Sequence, residues 1–292
     1  MKRILSVLSL VAFFLLTQCS KDSGSDYLVT IKTNQGDMVA ILYDETPKHK
    51  ANFIKLAKEH YFDSLLFHRV MDGFMIQGGD PDSKNAEPGQ QLGMGGPGYT
   101  VDAEINPKFF HEKGALSAAR LGDQQNPTKA SSGSQFYIVQ GFVTPSTDLD
   151  GLRIDQAKLN AAFQQMMQNP ASQPLIDTLN QIYMSGDMQA YQKKIYSLVP
   201  QLEKQTGTKI YKEVSEDKIK AYTTVGGYPS LDGDYTVFGK VIGGLDVIDK
   251  IARIQRDQNN RPLEDLRMVV TVEEMPRKEI ESKYGYKYPT QK

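Results

Sequence analysis

Cysteine occurs once in 292 residues, at Cys19, so no disulfide can form within the chain and no cysteine-based metal cluster can be built. Histidine is almost as scarce. His49, His60, His68 and His111 contain no pair four residues apart and have no cysteine beside them, so no metal site is expected. Neither sign of charge dominates: 34 basic side chains face 35 acidic ones, and no long basic run carries interleaved aromatics. Nucleic acid is therefore not an expected partner. No apolar run reaches the roughly 18 residues of a membrane span.

What is present begins with a separate N-terminal unit. Lys2 and Arg3 precede Ile4–Leu16, an apolar stretch broken only by Ser6 and Ser9. That length suits the core of a signal peptide, residues 1–18. Leu16-Thr17-Gln18-Cys19 resembles the lipobox of bacterial lipoproteins, with Gln18 where that motif usually has a small residue. The resemblance implies lipidation of Cys19, a polar tether over 19–27, and anchoring of the chain to a membrane of the bacterial cell envelope, on its periplasmic side or at the cell surface.

Beyond residue 27 the pattern changes to short apolar alternations. Leu28–Lys32 and Met38–Leu42 flank the turn cluster Asn34-Gln35-Gly36-Asp37 and predict a hairpin. Thr46-Pro47 predicts a helix start with threonine as cap, and an apolar face runs to about His60. Further strands are predicted at 66–70, 74–77, 115–119, 135–139, 235–238 and 268–272, with a second helix over 244–251. Many short strands, Gly-rich turns and two helices indicate a mainly β fold, an antiparallel barrel with capped ends. Residues 143–228 read differently. Leu159, Phe163 and Met166, then Leu175, Leu179 and Ile182, then Tyr191, Ile195 and Leu198 recur at helical spacing. They predict an insertion of two to four amphipathic helices whose apolar stripes must pack on each other or on the barrel. The tail, 276–292, is polar and is expected to extend from the barrel.

Alternation along strands places Arg69 and His68 on opposite faces, and Gln135 with Tyr137 on one face against Phe136 and Ile138 on the other. Phe67-His68-Arg69-Val70 with Gly73-Phe74-Met75-Ile76-Gln77-Gly78-Gly79-Asp80 resembles the signature of the cyclophilins, the peptidyl-prolyl cis-trans isomerases of that type. Gly133-Ser134-Gln135-Phe136-Tyr137-Ile138 and Leu231-Asp232-Gly233-Asp234-Tyr235-Thr236-Val237-Phe238 resemble two further blocks of the family, in the family's order. The resemblance spans 28–142 and 229–275. It implies a closed, antiparallel, eight-stranded barrel capped by two helices, carrying the α-helical insertion 143–228.

It also implies an activity, rotation about Xaa-Pro bonds, and the residues that perform it. Arg69 and Gln77 would be catalytic. Phe74, Met75, Ala119, Gln135, Tyr137, Leu231 and Tyr235 would form the proline pocket and its rim. Ser230 and Tyr235 stand where the best-known members have tryptophan and histidine, and Arg120 stands where they have asparagine. The implied partners are proline-containing unfolded or extended polypeptides, with no cofactor, and the expected state is a monomer. The insertion keeps a second reading open, a chaperone or scaffold in which the barrel holds proline-containing segments and catalysis is incidental.

Overall fold

A computed structural model describes residues 24–145 and 149–289; the expectations for residues 1–23, Cys19 included, fall outside them. The elements run β1 (Ser25–Thr33), β2 (Gly36–Leu42), α1 (Pro47–Lys58), β3 (Arg69–Met71), β4 (Met75–Gly78), β5 (Thr100–Val101), β6 (Ala115–Ala118), β7 (Ser131–Ser132) and β8 (Phe136–Val139). Six helices follow: α2 (Leu149–Arg153), α3 (Gln156–Met167), α4 (Gln173–Met184), α5 (Met188–Ser197), α6 (Val199–Thr206) and α7 (Glu216–Thr224). The chain then completes the sheet with β9 (Val237–Gly243), α8 (Leu245–Ala252) and β10 (Val269–Pro276), and ends in α9 (Arg277–Tyr284).

Eight strands form one antiparallel sheet in the order β10-β1-β2-β9-β6-β8-β4-β3, and β5 pairs with β7 separately. The sheet is not closed into a barrel by a strand ladder, which corrects the expectation: β3 and β10 are edge strands. The irregular chain before each of them is joined instead, through Ser64 N–H to Met268 O, Phe67 N–H to Leu266 O and Met268 N–H to Leu65 O, each at 2.9 Å. Regular pairing fails there because residues 64–67 lie outside β3 and include Ser64 in the left-handed region at φ 68°.

Alternation along the hairpin fills two cores. Val29, Ile31, Met38, Ala40 and Leu42 face inward, where Phe53, Leu56 and Ala57 of α1 and Val247, Ile248 and Ile251 of α8 cap the sheet. Leu28 and Ile41 face outward and pack on Met275, Ile280 and Tyr284. The tail therefore does not extend from the sheet as expected. Ile280 is completely buried and pulls α9 back over β1 and β2.

The start of α1 corrects a second expectation. Thr46 makes no side-chain cap. Its hydroxyl donates to Tyr43 O, and the carboxylate of Glu104 accepts the N–H groups of Lys48 (3.1 Å) and His49 (3.0 Å) in its place. A carboxylate there is stabilised both by the free N–H groups and by the helix dipole.

The insertion is more finely divided than the two to four helices read from the sequence. Pro200 stands in the first turn of α6 and separates it from α5, which carries Tyr191 and Ile195, because proline lacks an amide hydrogen and its ring crowds the carbonyl one turn back. Apolar side chains of α3, α4 and α6 make a core of their own around Leu159, Met166, Leu179, Val199 and Leu202. Helix α7 turns the other way and buries Tyr222 completely. No helix among the described residues is long and apolar enough to cross a membrane.

Candidate active site

Strand register, more than chain proximity, assembles the site. Arg69 lies opposite Gln77, Gln77 opposite Tyr137, and Tyr137 opposite Ser117, so one row crosses β3, β4, β8 and β6. Residues directly opposite in antiparallel strands share a face. This row is on the outer face of the sheet, while Val70, Ile76, Phe136 and Ile138 from the same strands enter the inner core.

The polar side of the row is a relay. Arg69 Nη1 donates to Gln77 Oε1 at 3.2 Å, and Gln77 Nε2 donates to Gln135 Oε1 at 3.1 Å. Gln135 Nε2 is held by the carbonyls of Gly93 (3.0 Å) and Gly95 (2.7 Å). That loop is fixed in turn by Asp80, whose carboxylate accepts the N–H of Gly93 at 2.5 Å and of Asp82 at 2.9 Å. Gly79 allows the close approach this needs: at φ 88°, a Cβ there would lie 2.2 Å from Ser134 O. Burial pushes the Arg69 guanidinium below its ordinary value. It nevertheless keeps its charge at neutral pH.

The apolar side is one cluster containing Met75, Tyr137, Phe74, Ala119, Leu231 and Tyr235. Arg69 Cζ lies 5.8 Å from the centre of the Phe74 ring. All nine residues named from the sequence in and around the barrel thus meet in one place, and a cavity of about 710 Å³ opens beside Gln77, Ala119 and Gln135. Among the described residues no cluster of histidine and acidic side chains could hold a metal ion.

Three neighbours were not singled out in the sequence. Tyr228 packs against Phe74 with ring centroids 4.4 Å apart and the planes tilted by 41°. His111 Nε2 meets the Tyr137 hydroxyl at 2.9 Å, and His111 Nδ1 meets Asp232 Oδ1 at 3.0 Å. No local motif marks His111 and Tyr228, which reach the cluster from the chain beside β6 and from the end of the insertion, and Asp232 lies in the third motif block with no sign of its partner.

A family model for cyclophilin type peptidyl-prolyl cis-trans isomerase/CLD matches residues 28–196 and 209–273. The chain belongs to the cyclophilin-type peptidyl-prolyl cis-trans isomerases. A Staphylococcus saprophyticus protein named as a candidate peptidyl-prolyl cis-trans isomerase is 29% identical over 248 residues, 84% of this chain and 90% of that protein. A Streptococcus pyogenes protein named as a candidate bifunctional phosphatase and peptidyl-prolyl cis-trans isomerase is 30% identical over 251 residues; the match takes in 84% of this chain and only 38% of that longer protein. A crystal structure of a Cryptosporidium parvum cyclophilin type isomerase superposes with a TM-score of 0.48 at 20% identity, covering 86% of this chain and 99% of that one.

In this cyclophilin the family match runs into the insertion, to residue 196 and again from residue 209. Ser230, at the family's tryptophan position, is exposed and brings no ring to the cluster. Tyr235 does bring one, and Arg120 Cζ lies 4.5 Å over its face while Arg120 Nε donates to Asp234 O at 2.8 Å. The arginine thus braces the rim in place of a small neutral side chain.

Proposed function

We propose that the cluster is a prolyl pocket and that Arg69 catalyses rotation about Xaa-Pro bonds by stabilising the twisted amide. The supporting observation is a half-buried guanidinium, fixed by Gln77, at the edge of an apolar cluster. The barrier is roughly 18–20 kcal/mol because rotation breaks amide resonance. At the twisted geometry the proline nitrogen becomes pyramidal and basic, so a guanidinium N–H can donate to it. That bond hardly exists in the planar ground state, which makes it selective for the transition state. A charge-assisted hydrogen bond is worth about 1.5–3 kcal/mol. A rate gain of ~10⁴ needs about 5.5 kcal/mol, so Arg69 cannot supply it alone. Phe74, Met75, Tyr137 and Leu231 would desolvate the amide, and Gln77 with Gln135 would hold the substrate carbonyl side. No covalent bond is made or broken and no electron leaves the substrate, so the reaction requires neither nucleophile nor cofactor. The reading is tested by NMR exchange spectroscopy on an Ala-Pro peptide with the full-length protein. Acceleration of cis-trans exchange above the uncatalysed rate is expected, and its absence from folded protein refutes the reading.

We further propose that the substrates are exported polypeptides and that the protein works from a lipid anchor on Cys19. The support is the sequence itself, a basic start, an apolar core and the chain's single cysteine at the end of a lipobox-like run. Replacing Cys19 with serine is expected to move the protein from the membrane fraction to the soluble fraction or to leave its precursor uncleaved. An unmodified Cys19 in the native protein, read by mass spectrometry, rules the anchor out.

A further inference from the structure

Behind the Tyr137 ring the pocket wall continues into buried polar groups that reach the insertion. Asp232 divides its carboxylate between two elements. Oδ1 accepts the backbone N–H of His111 at 2.9 Å and faces His111 Nδ1 at 3.0 Å. Oδ2 accepts the Tyr222 hydroxyl at 2.8 Å and pairs with Lys218 Nζ at 2.5 Å, both from α7. With Nδ1 turned to Asp232, Nε2 is left to meet the Tyr137 hydroxyl at 2.9 Å. The side chains are largely closed to water: Tyr222 is 0% exposed, His111 1% and Tyr137 4%. Burial pushes the Asp232 carboxyl up, yet His111 and Lys218 outweigh it and hold the group below the usual carboxylate range.

We propose that His111, Asp232 and Tyr222 are positioning residues for the prolyl pocket, and that helix α7 sets the pocket wall through them. The inference rests on the prolyl-isomerase reading above. Its ground is that three wall residues share this support. His111 lies parallel to the Tyr137 ring at 6.0 Å and edge-on to Tyr235 at 6.3 Å. Leu231 immediately precedes Asp232 in the chain. A phenylalanine at 137 would offer the same apolar wall; the hydroxyl, which also faces Ser117 across the strand pair, adds the bond to His111 and hence the bond to the insertion. Docking of α7 alone would need no such connection, since burial of the Tyr222 ring beside Phe110, 5.5 Å away, already fastens it. Buried polar chains that are fully paired fix geometry more sharply than apolar contact does.

The test is a cycle of ring-preserving variants in the full-length protein, Tyr222→Phe, Tyr137→Phe and both together, assayed on a short Xaa-Pro peptide. Each single variant is expected to raise KM by about fivefold, with kcat falling less than KM rises, because what changes is the shape of the binding wall. The double variant is expected to match either single one, since both cut the same chain. If Tyr222→Phe proves unfolded by circular dichroism, Lys218→Met takes its place in the cycle with the same expectation. A role confined to stability predicts a lowered melting temperature with KM unchanged, and that result overturns the inference. So does a double variant whose KM change is the product of the two single changes. Wild-type protein that fails to accelerate isomerisation would instead overturn the underlying reading.

Discussion

Arg69→Ala is expected to lower kcat/KM for an Xaa-Pro peptide by roughly 10- to 100-fold without loss of fold, the range set by one charge-assisted hydrogen bond of about 1.5–3 kcal/mol. Three features of the site make this the largest functional effect of a single change. Arg69 sits at the edge strand β3, so its loss opens no core cavity. Its recorded bonds are to neutral partners, Gln77 Oε1 and the Met71 sulfur, both at 3.2 Å, and among the described residues no carboxylate pairs with it. The charge is therefore half-buried with no ionic partner, so its desolvation cost is offset only by the bond to Gln77 and the nearby Phe74 ring. Removing it is expected to leave the melting temperature unchanged or slightly raised. Arg69→Lys keeps the charge but loses the fork that lets one nitrogen hold Gln77 while another faces substrate, so it is expected to recover only part of the activity. Steady-state kinetics on both variants, beside thermal melts, check this. A folded Arg69→Ala protein with wild-type kcat/KM removes Arg69 from the mechanism.

The legibility of this site in the sequence follows from the period of a strand. Arg69, Gln77 and Tyr137 carry their own marks, because alternation fixes which face each occupies and the first two motif blocks lie in strands β3, β4 and β8, which pair directly. Tyr228 and His111 carry no such mark, and Asp232, although inside the third block, gives no sign of the partner it meets. Their contacts join residues more than 100 positions apart, as between His111 and Asp232 or Phe74 and Tyr228, and depend on how the insertion returns to the sheet. The same distinction runs through the fold. The hairpin β1–β2 is fixed by a local turn between alternating strands and forms as read. The cap of α1 is not local: Thr46 and Pro47 mark the helix start, while the carboxylate that satisfies its first N–H groups belongs to Glu104, more than 50 residues away. The tail reads as polar because only one face of α9 is apolar, and burial of Ile280 shows only once the outer faces of β1 and β2 are in place. Pro200 was a readable break in the insertion that the apolar spacing of Tyr191, Ile195 and Leu198 masked.

Acidification from pH 7 to pH 4 is expected to cost the fold about 3 kcal/mol through His68 alone. The side chain lies next to Arg69 in the chain, is 4% exposed, and neither ring nitrogen makes a well-formed hydrogen bond. Burial is the main reason its pKa falls to about 4; Arg69 and Arg261 add to the fall, while Asp80 and the Leu66 backbone resist it. In the unfolded chain a histidine titrates near 6.5. The native state thus excludes a proton that the unfolded state accepts. This part of the stability is complete above about pH 6.5, declines as pH falls toward 4, and levels off below that. His68→Leu removes the titrating group without orphaning a partner, since the ring nitrogens have none. Urea unfolding at pH 7 and pH 4 is expected to show the stability of wild type relative to His68→Leu falling by about 3 kcal/mol, with the other titrating groups cancelling between the two proteins. NMR titration of the ring should place its protonation near pH 4 in the same protein. A stability difference that stays constant with pH, or a ring that protonates at its ordinary value, contradicts a buried neutral His68. Because His68 lies against Gly93, whose carbonyl accepts from Gln135, its protonation also bears on the loop that fixes the Gln135–Gln77–Arg69 relay.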